Sequence, residues 1–118
     1  MKTILIDTNF YADIMLGGDH ATTLVRRAQN ILLCPIVIGE LLYGFKHGKL
    51  EQQNLEQFEQ FMALPSVQTV DITSETAQFF ALIMSDLKKR GAPLPTNDVW
   101  IAACALENAA AVAFQKNS

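Results

Sequence analysis

Three acidic residues, Asp7, Glu40 and Asp98, lie far apart in this sequence, yet each occupies a position where a carboxylate is unusual. Carboxylate oxygens are the ligands that hard cations such as Mg²⁺ and Mn²⁺ prefer. Hydrolysis of a phosphodiester by one or two such ions needs a set of carboxylates that leaves positions open for water and phosphate. The three residues together therefore predict a metal-dependent nuclease site.

Two of these residues also have a local structural explanation. Asp7 follows the strand-like run Thr3-Ile4-Leu5-Ile6, at the carboxyl end of a strand, where open α/β sheets place their sites, but it could instead cap a helix that begins near Asn9. Asp98 lies in the first turn of a predicted helix, where a negative charge also gains from the helix dipole. Neither residue alone decides between the two interpretations.

Glu40 is harder to explain structurally. Its neighbours three and four residues away along a predicted helix are uncharged: Ile36, Val37, Tyr43 and Gly44. It therefore has neither a helix end nor an adjacent Lys or Arg to satisfy it, and we expect a bound cation to be its partner.

Short β-rich runs alternate with longer helical ones, which predicts an α/β fold with a central parallel sheet covered by helices. The predicted strands are Thr3–Ile6, Ile31–Cys34, Val67–Val70 and Ala111–Phe114. The predicted helices lie near Asn9–Leu16, Ala21–Gln29, Pro35–Lys46, Glu51–Met62, Ser74–Lys89 and Asn97–Asn108. Two helices would then fill each crossover between strands.

The chain of 118 residues has the length of one domain, and half of its residues are hydrophobic. No apolar run reaches the roughly 18 residues of a membrane span, and the first residues lead directly into a strand, so a cytoplasmic protein is expected. Cys34 and Cys104 form no CxxC pair and are predicted to be buried free thiols. His20 and His47 lack zinc-ligand spacing and are interpreted as surface histidines.

The formal net charge of −3 argues mildly against a nucleic-acid-binding protein, because phosphate contacts usually require a basic surface. Without the three candidate ligands, however, acidic and basic residues balance at nine each. Bound divalent metal would reverse the local sign. The cationic groups that could hold a phosphate backbone are mainly Lys46, Lys49, Lys88, Lys89 and Arg90, although a solvated charged face explains them as well.

Three segments give the sequence a family resemblance. They are Ile4-Leu5-Ile6-Asp7-Thr8-Asn9, Val37-Ile38-Gly39-Glu40-Leu41-Leu42-Tyr43-Gly44, and Asn97-Asp98-Val99-Trp100-Ile101-Ala102-Ala103 with the preceding Lys89-Arg90-Gly91. In this order and spacing the chain resembles a PIN domain, of the kind found in VapC toxins of bacterial and archaeal toxin-antitoxin pairs. The resemblance covers almost the whole chain, and the predicted single domain spans residues 1–118.

The resemblance implies a three-layer sandwich with paired crossover helices and a homodimer restrained by an antitoxin. It also implies that Asp7, Glu40 and Asp98 are the metal ligands, that Thr8 or Asn9 supports them, and that the substrate is RNA. The leading hypothesis is thus a Mg²⁺- or Mn²⁺-dependent endoribonuclease in which these ligands activate water for in-line attack on phosphorus. Lys46 or Lys116 would assist at the phosphate.

The end of the chain departs from the family pattern. A fourth acidic or amide residue and a short extension usually follow the last core strand, whereas here Asn117 takes that position and the sequence stops at Ser118. An amide oxygen brings no charge, so affinity for a second ion should fall. This departure suggests a truncated domain and an alternative function: a weak or inactive binding module that dimerises and holds an antitoxin, whose arginine would satisfy the carboxylates.

A third hypothesis, a haloacid-dehalogenase-like phosphotransferase, starts from Asp7 after the first strand. That chemistry usually needs a second Asp two residues further on, and this position is Asn9. The sequence therefore fits this hypothesis poorly.

Overall fold

A computed structural model describes residues 3–113 and shows four strands and six helices in that range. The strands are β1 (Thr3–Ile6), β2 (Asn30–Leu33), β3 (Val67–Thr69) and β4 (Ala111–Ala113). The helices are α1 (Thr8–Leu16), α2 (Asp19–Arg27), α3 (Pro35–His47), α4 (Glu51–Met62), α5 (Ser74–Arg90) and α6 (Thr96–Glu107). Two helices fill each crossover, as the sequence predicted.

The strands form one parallel sheet in the order β3-β2-β1-β4, which confirms the predicted α/β class. Leu5 in β1 is in register with Leu32 on one side and Val112 on the other. β1 is therefore a central strand. Its residues Ile4, Leu5 and Ile6 are fully buried, as expected for a parallel strand covered by helices on both faces.

The order of the strands places a crevice at one end of the sheet. The chain moves in one direction from β1 to β2 to β3, and then returns past β1 to add β4 on its other side. Because parallel crossovers are right-handed, the first two helix pairs lie on one face and α5 and α6 on the other. The reversal between β1 and β4 is a topological switch point, where open α/β sheets bind ligands beyond the carboxyl ends of the strands.

Helix starts meet at this same edge. A single residue, Asp7, separates the end of β1 from the start of α1. Helix α6 must run antiparallel to β4, because it returns the chain to the start of that strand. The amino ends of both helices therefore lie at the carboxyl edge of the sheet. The fold brings residues 7 and 98 to one place for this reason.

Helices α5 and α6 pack mainly against each other. Phe80 and Trp100 stack with ring centroids 4.2 Å apart, and the fully buried Thr76 donates a hydrogen bond of 2.6 Å from Oγ1 to Glu107 Oε1. The outer side of α5 remains open, with Leu82 66% exposed. The apolar residues Phe79, Phe80 and Ile83 of α5 are only half-buried, whereas Phe58 and Phe61 of α4 are buried.

The two cysteines are free and buried, as predicted. Cys34 precedes α3 and Cys104 lies in α6, where its thiol interacts with that of Cys34. This contact, more than the opposing effect of burial, lowers the pKa of Cys34 to about 7. Among residues 3–113, no helix is both long and apolar enough to cross a membrane.

The central position of β1 predicts a large stability difference between two Leu→Ala substitutions. Leu5→Ala removes a fully buried side chain and should lower the free energy of unfolding by about 2–5 kcal/mol, because it leaves a cavity between the layers. Leu82→Ala, at a residue 66% exposed, should change it by less than about 0.5 kcal/mol. Urea denaturation followed by circular dichroism measures both values, and equal losses would contradict the description of the core.

Candidate active site

The three acidic residues converge on one open cavity at the carboxyl edge of the sheet. The cavity has a volume of about 330 Å³ and is lined by Asp7, Thr8, Asn9, Glu40, Tyr43, Asp98 and Ile101. β1 delivers the first of the acids, α3 the second and α6 the third. Residues separated by more than thirty positions in sequence thus share one small volume.

Asp7 has both of the roles that its sequence position suggested. Its backbone is extended, and its Oδ1 accepts a hydrogen bond of 2.7 Å from the backbone N–H of Phe10, so it is the N-cap of α1. It also lines the acidic cavity. Capping and cavity lining are compatible because a carboxylate has a second oxygen.

Partial burial and neighbouring charges both act on Asp7. Loss of hydration raises its pKa above the ordinary value, the hydrogen bond from Phe10 opposes that rise, and the nearby carboxylates of Asp98 and Glu40 add to it. The ionised form is therefore destabilised by its surroundings. A cation in the cavity would relieve this repulsion.

Glu40 has two hydrogen-bond partners, of which the sequence analysis suggested Thr8 but not Asn97. Its Oε1 accepts a hydrogen bond of 2.5 Å from Thr8 Oγ1, and its Oε2 accepts one of 3.1 Å from Asn97 Nδ2. Two neutral donors from α1 and α6 thus satisfy hydrogen-bonding positions of this carboxylate, and its predicted role as a ligand of a cation stays a prediction. These bonds orient Glu40 and leave its charge uncompensated.

Asp98 is the most accessible of the three acids. It lies in the first turn of α6, which follows Pro95 and has no side-chain cap, and it is exposed. A second cavity of about 290 Å³ is lined by both Asp98 and Asp7, together with Leu94 and Val112. Asp98 therefore stands between two cavities that meet at the switch point.

The other predicted site residues fall into three groups. Thr8 and Asn9 line the acidic cavity. Lys46 is not among the lining residues; its Nζ lies 3.5 Å from Glu51 Oε2, in an exposed ion pair. Lys116 and Asn117 lie outside the described residues.

Sequence reasoning missed two residues of the site. Tyr43 lines the cavity, and Asn97 holds Glu40. The signals were present, since Tyr43 is one helical turn beyond Glu40 and Asn97 directly precedes Asp98. Both stand in segments that carry the family resemblance, but the sequence analysis gave them no role at the site.

The donor set has the chemistry of a hard-cation site. Three carboxylates and the hydroxyl of Thr8 offer oxygen atoms only, and the cavity leaves room for water. Within residues 3–113, no three His, Cys, Asp or Glu side chains stand close enough together to hold an ion without further movement.

The family model that matches the chain is the PIN domain, over residues 4–117. The match covers nearly the whole sequence, and the chain belongs to the PIN domain family. The family resemblance based on the three sequence segments is confirmed.

Individual relatives are more distant. The chain is 27% identical over 113 residues to Ribonuclease VapC2 of Rickettsia felis, covering 92% of this chain and 83% of that protein. The fold is similar to VapBC2 from Rickettsia felis bound to a promoter DNA fragment, with a TM-score of 0.80, 21% identity and coverage of 93% and 84% of the two chains. It is also similar to VapBC-5 of Mycobacterium tuberculosis, from a family of toxin-antitoxin systems, with a TM-score of 0.74, 22% identity and coverage of 98% and 86%.

The partial burial of Asp7 and the nearby carboxylates together predict that removing its charge stabilises the metal-free protein. Asp7→Asn keeps a capping oxygen for Phe10 but cannot ionise, so it should raise the melting temperature at pH 7. The pKa of Asp7 is raised on folding, so its ionisation costs stability as the pH rises through that pKa. The gain should therefore disappear at acidic pH, where Asp7 is protonated in both the folded and unfolded chain.

Asp7→Ala is the matched variant for this measurement. It removes the charge and also the cap, which costs about 1 kcal/mol. Thermal melts of both variants and the parent across pH 3–8 in the presence of EDTA separate the two effects. An Asp7→Asn chain less stable than the parent at pH 7 would show that burial and the neighbouring carboxylates do not destabilise the folded chain through the charge of Asp7.

The hydrogen bond from Thr8 to Glu40 predicts a second stability difference. Thr8→Val preserves the shape of the side chain but leaves Glu40 Oε1 without its donor, which should cost about 1 kcal/mol of unfolding free energy. Thr23→Val removes an exposed hydroxyl bonded within α2 and should change stability by less than about 0.5 kcal/mol. Denaturant titration of the metal-free chains measures both, and equal effects would argue against a specific contact.

Proposed function

We propose that this chain is a Mg²⁺- or Mn²⁺-dependent endoribonuclease and the toxin of a toxin-antitoxin pair. The observation that carries the proposal is the convergence of Asp7, Glu40 and Asp98 on one cavity at the switch point of a PIN domain. A relative covering 92% of the chain is a ribonuclease, which supports RNA as the substrate.

The three acids have different tasks in this proposal. Asp7 and Glu40 are held by Phe10, Thr8 and Asn97, so they form the fixed side of the site. Asp98 is exposed and completes the ligand set from α6. The bound cation would polarise the phosphate and lower the pKa of water for attack. Without it, three carboxylates would repel the phosphate backbone.

Asn9 and the remaining oxygen of Asp7, which both line the cavity, would position water there. Lys46 and Lys116 are retained as proposed phosphate contacts, although the ion pair of Lys46 with Glu51 must open for this role. Exposed ion pairs contribute at most about 1 kcal/mol, so the opening is inexpensive.

The test is cleavage of a mixed RNA pool by the purified chain with Mg²⁺ or Mn²⁺. The parent should cut, and both EDTA and Asp7→Asn should reduce cutting to background, because each removes part of the metal site. Since Asp7→Asn retains the helix cap, its folded state is checked by circular dichroism in the same buffer. Equal cleavage by the parent and this variant would show that the charge of Asp7 is not required for the reaction.

The same assay distinguishes the proposed nuclease from the alternative of an inactive binding module. That alternative was based on Asn117, which lies outside the described residues, and none of the relatives reported above favours it. Metal binding measured by calorimetry, without any cleavage, is the result that would restore it.

We also propose that the chain forms a homodimer and binds an antitoxin protein. The support is that VapBC-5 of Mycobacterium tuberculosis comes from a toxin-antitoxin family and shares this fold. A groove of about 270 Å³ between α1, α3 and α4 suits such a partner, because it is mostly apolar and includes Leu16, which is 84% exposed. Tyr11 also lines it, and its buried hydroxyl has no hydrogen-bond partner within residues 3–113.

A charge placed in this groove should prevent the association. Leu16→Asp puts a carboxylate on the apolar surface and should abolish co-purification of the antitoxin from the native host, while RNA cleavage is preserved. Leu82→Asp, equally polar but outside the groove, is the control for antitoxin binding. Retained association of the Leu16 variant would place the antitoxin elsewhere.

A further inference from the structure

We infer that Tyr43 is a base-stacking platform at the mouth of the acidic cavity, which holds an unpaired nucleotide next to the phosphate that is cut. This inference rests on the proposed function. Tyr43 lines the cavity with the three acids, yet 66% of the residue is exposed. It therefore contributes little to the core, and its ring is available to a ligand.

The helix fixes the distance between the ring and the site. Tyr43 is three residues beyond Glu40 in α3, so the two Cβ atoms are about 5–6 Å apart. A base is attached through its sugar directly to the phosphate next to it. A phosphate held among the carboxylates thus brings its own base within reach of Tyr43.

His47 supports the ring from the next turn. Its ring centroid lies 4.4 Å from that of Tyr43, with an angle of 58° between the planes. Glu40, Tyr43 and His47 are spaced by three and then four residues, so all three lie on one side of α3. This contact restricts the ring of Tyr43 and lowers the entropy that would be lost on stacking.

The chemistry selects single-stranded nucleic acid. Bases in a duplex are already stacked, whereas bases in loops and ends can turn outward onto an aromatic side chain. Stacking of this kind tolerates any base, because every base has a π face. Tyr43 would therefore provide affinity for unpaired RNA without reading its sequence.

The test compares two ligands that differ only in their bases. One is a labelled single-stranded RNA of about eight nucleotides, and the other is an abasic oligomer with the same backbone. Fluorescence anisotropy is measured with Ca²⁺ in place of Mg²⁺, and each oligomer is recovered afterwards to verify that it is intact. The proteins are the parent, Tyr43→Ala, Tyr43→Phe and Leu42→Ala, the last being a control on the same helix outside the cavity lining.

The parent should bind the RNA more tightly than the abasic oligomer. Tyr43→Ala should weaken RNA binding about tenfold and leave abasic binding unchanged, since only stacking is lost. Tyr43→Phe keeps the ring and should behave as the parent does, as should Leu42→Ala. In cleavage assays the loss for Tyr43→Ala should appear mainly in KM, because stacking binds the ground state and the transition state alike.

Two results would overturn the inference: equal binding of both oligomers by the parent, or an equal loss for both oligomers in Tyr43→Ala. The second would indicate a general distortion of the site. Either result can occur in a chain that cleaves RNA, so the proposed nuclease would survive it. Conversely, the parent chain could bind the RNA more tightly than the abasic oligomer, lose this difference in Tyr43→Ala, and never cut RNA. That result would overturn the proposed nuclease activity and support Tyr43 as a base-stacking platform.

Discussion

The placement of carboxylates, one of them partly buried, around one cavity at the end of a buried strand is the constraint on which this site depends. Asp7 cannot retreat into solvent, because it follows three fully buried residues and must cap α1. Burial, and to a lesser extent the carboxylates of Asp98 and Glu40, raises the pKa of Asp7, so the folded chain disfavours the ionised form of this group. Hydrogen bonds from neutral protein donors stabilise individual carboxylate oxygens of Asp7 and Glu40, but they supply no positive charge to the cavity.

The fold creates this constraint through its strand order. If each new strand were added on the same side of the sheet, β4 would lie beside β3, and residues 7 and 98 would be far apart. Because β4 is added beside β1 instead, the two residues are neighbours. Glu40 then approaches from α3, the first helix after β2. Fold and chemistry are thus linked at the switch point, where a ligand has access to strand ends and helix starts together.

The sequence predicted the elements well because their signals are local. The run Ile4-Leu5-Ile6 and the apolar pattern of α3 depend on neighbours within a few residues, and those elements formed within one or two positions of the predicted bounds. The contacts of Glu40 with Thr8 and Asn97 span 32 and 57 residues, and no local pattern encodes them. The convergence of the three acids was predicted from residue chemistry and family resemblance, but their orientation needed the assembled helices.

The packing of α5 against α6 has a mechanical consequence for the cavity. Stacking of Phe80 on Trp100 and the bond from Thr76 to Glu107 join the two helices along their length. Asp98 and Asn97 stand at the start of α6, whereas Asp7 is anchored to the sheet and Glu40 to α3. The α6 side of the cavity is therefore supported by α5, so a substitution in the contact between α5 and α6 should disturb the position of Asp98 more than that of Asp7 or Glu40.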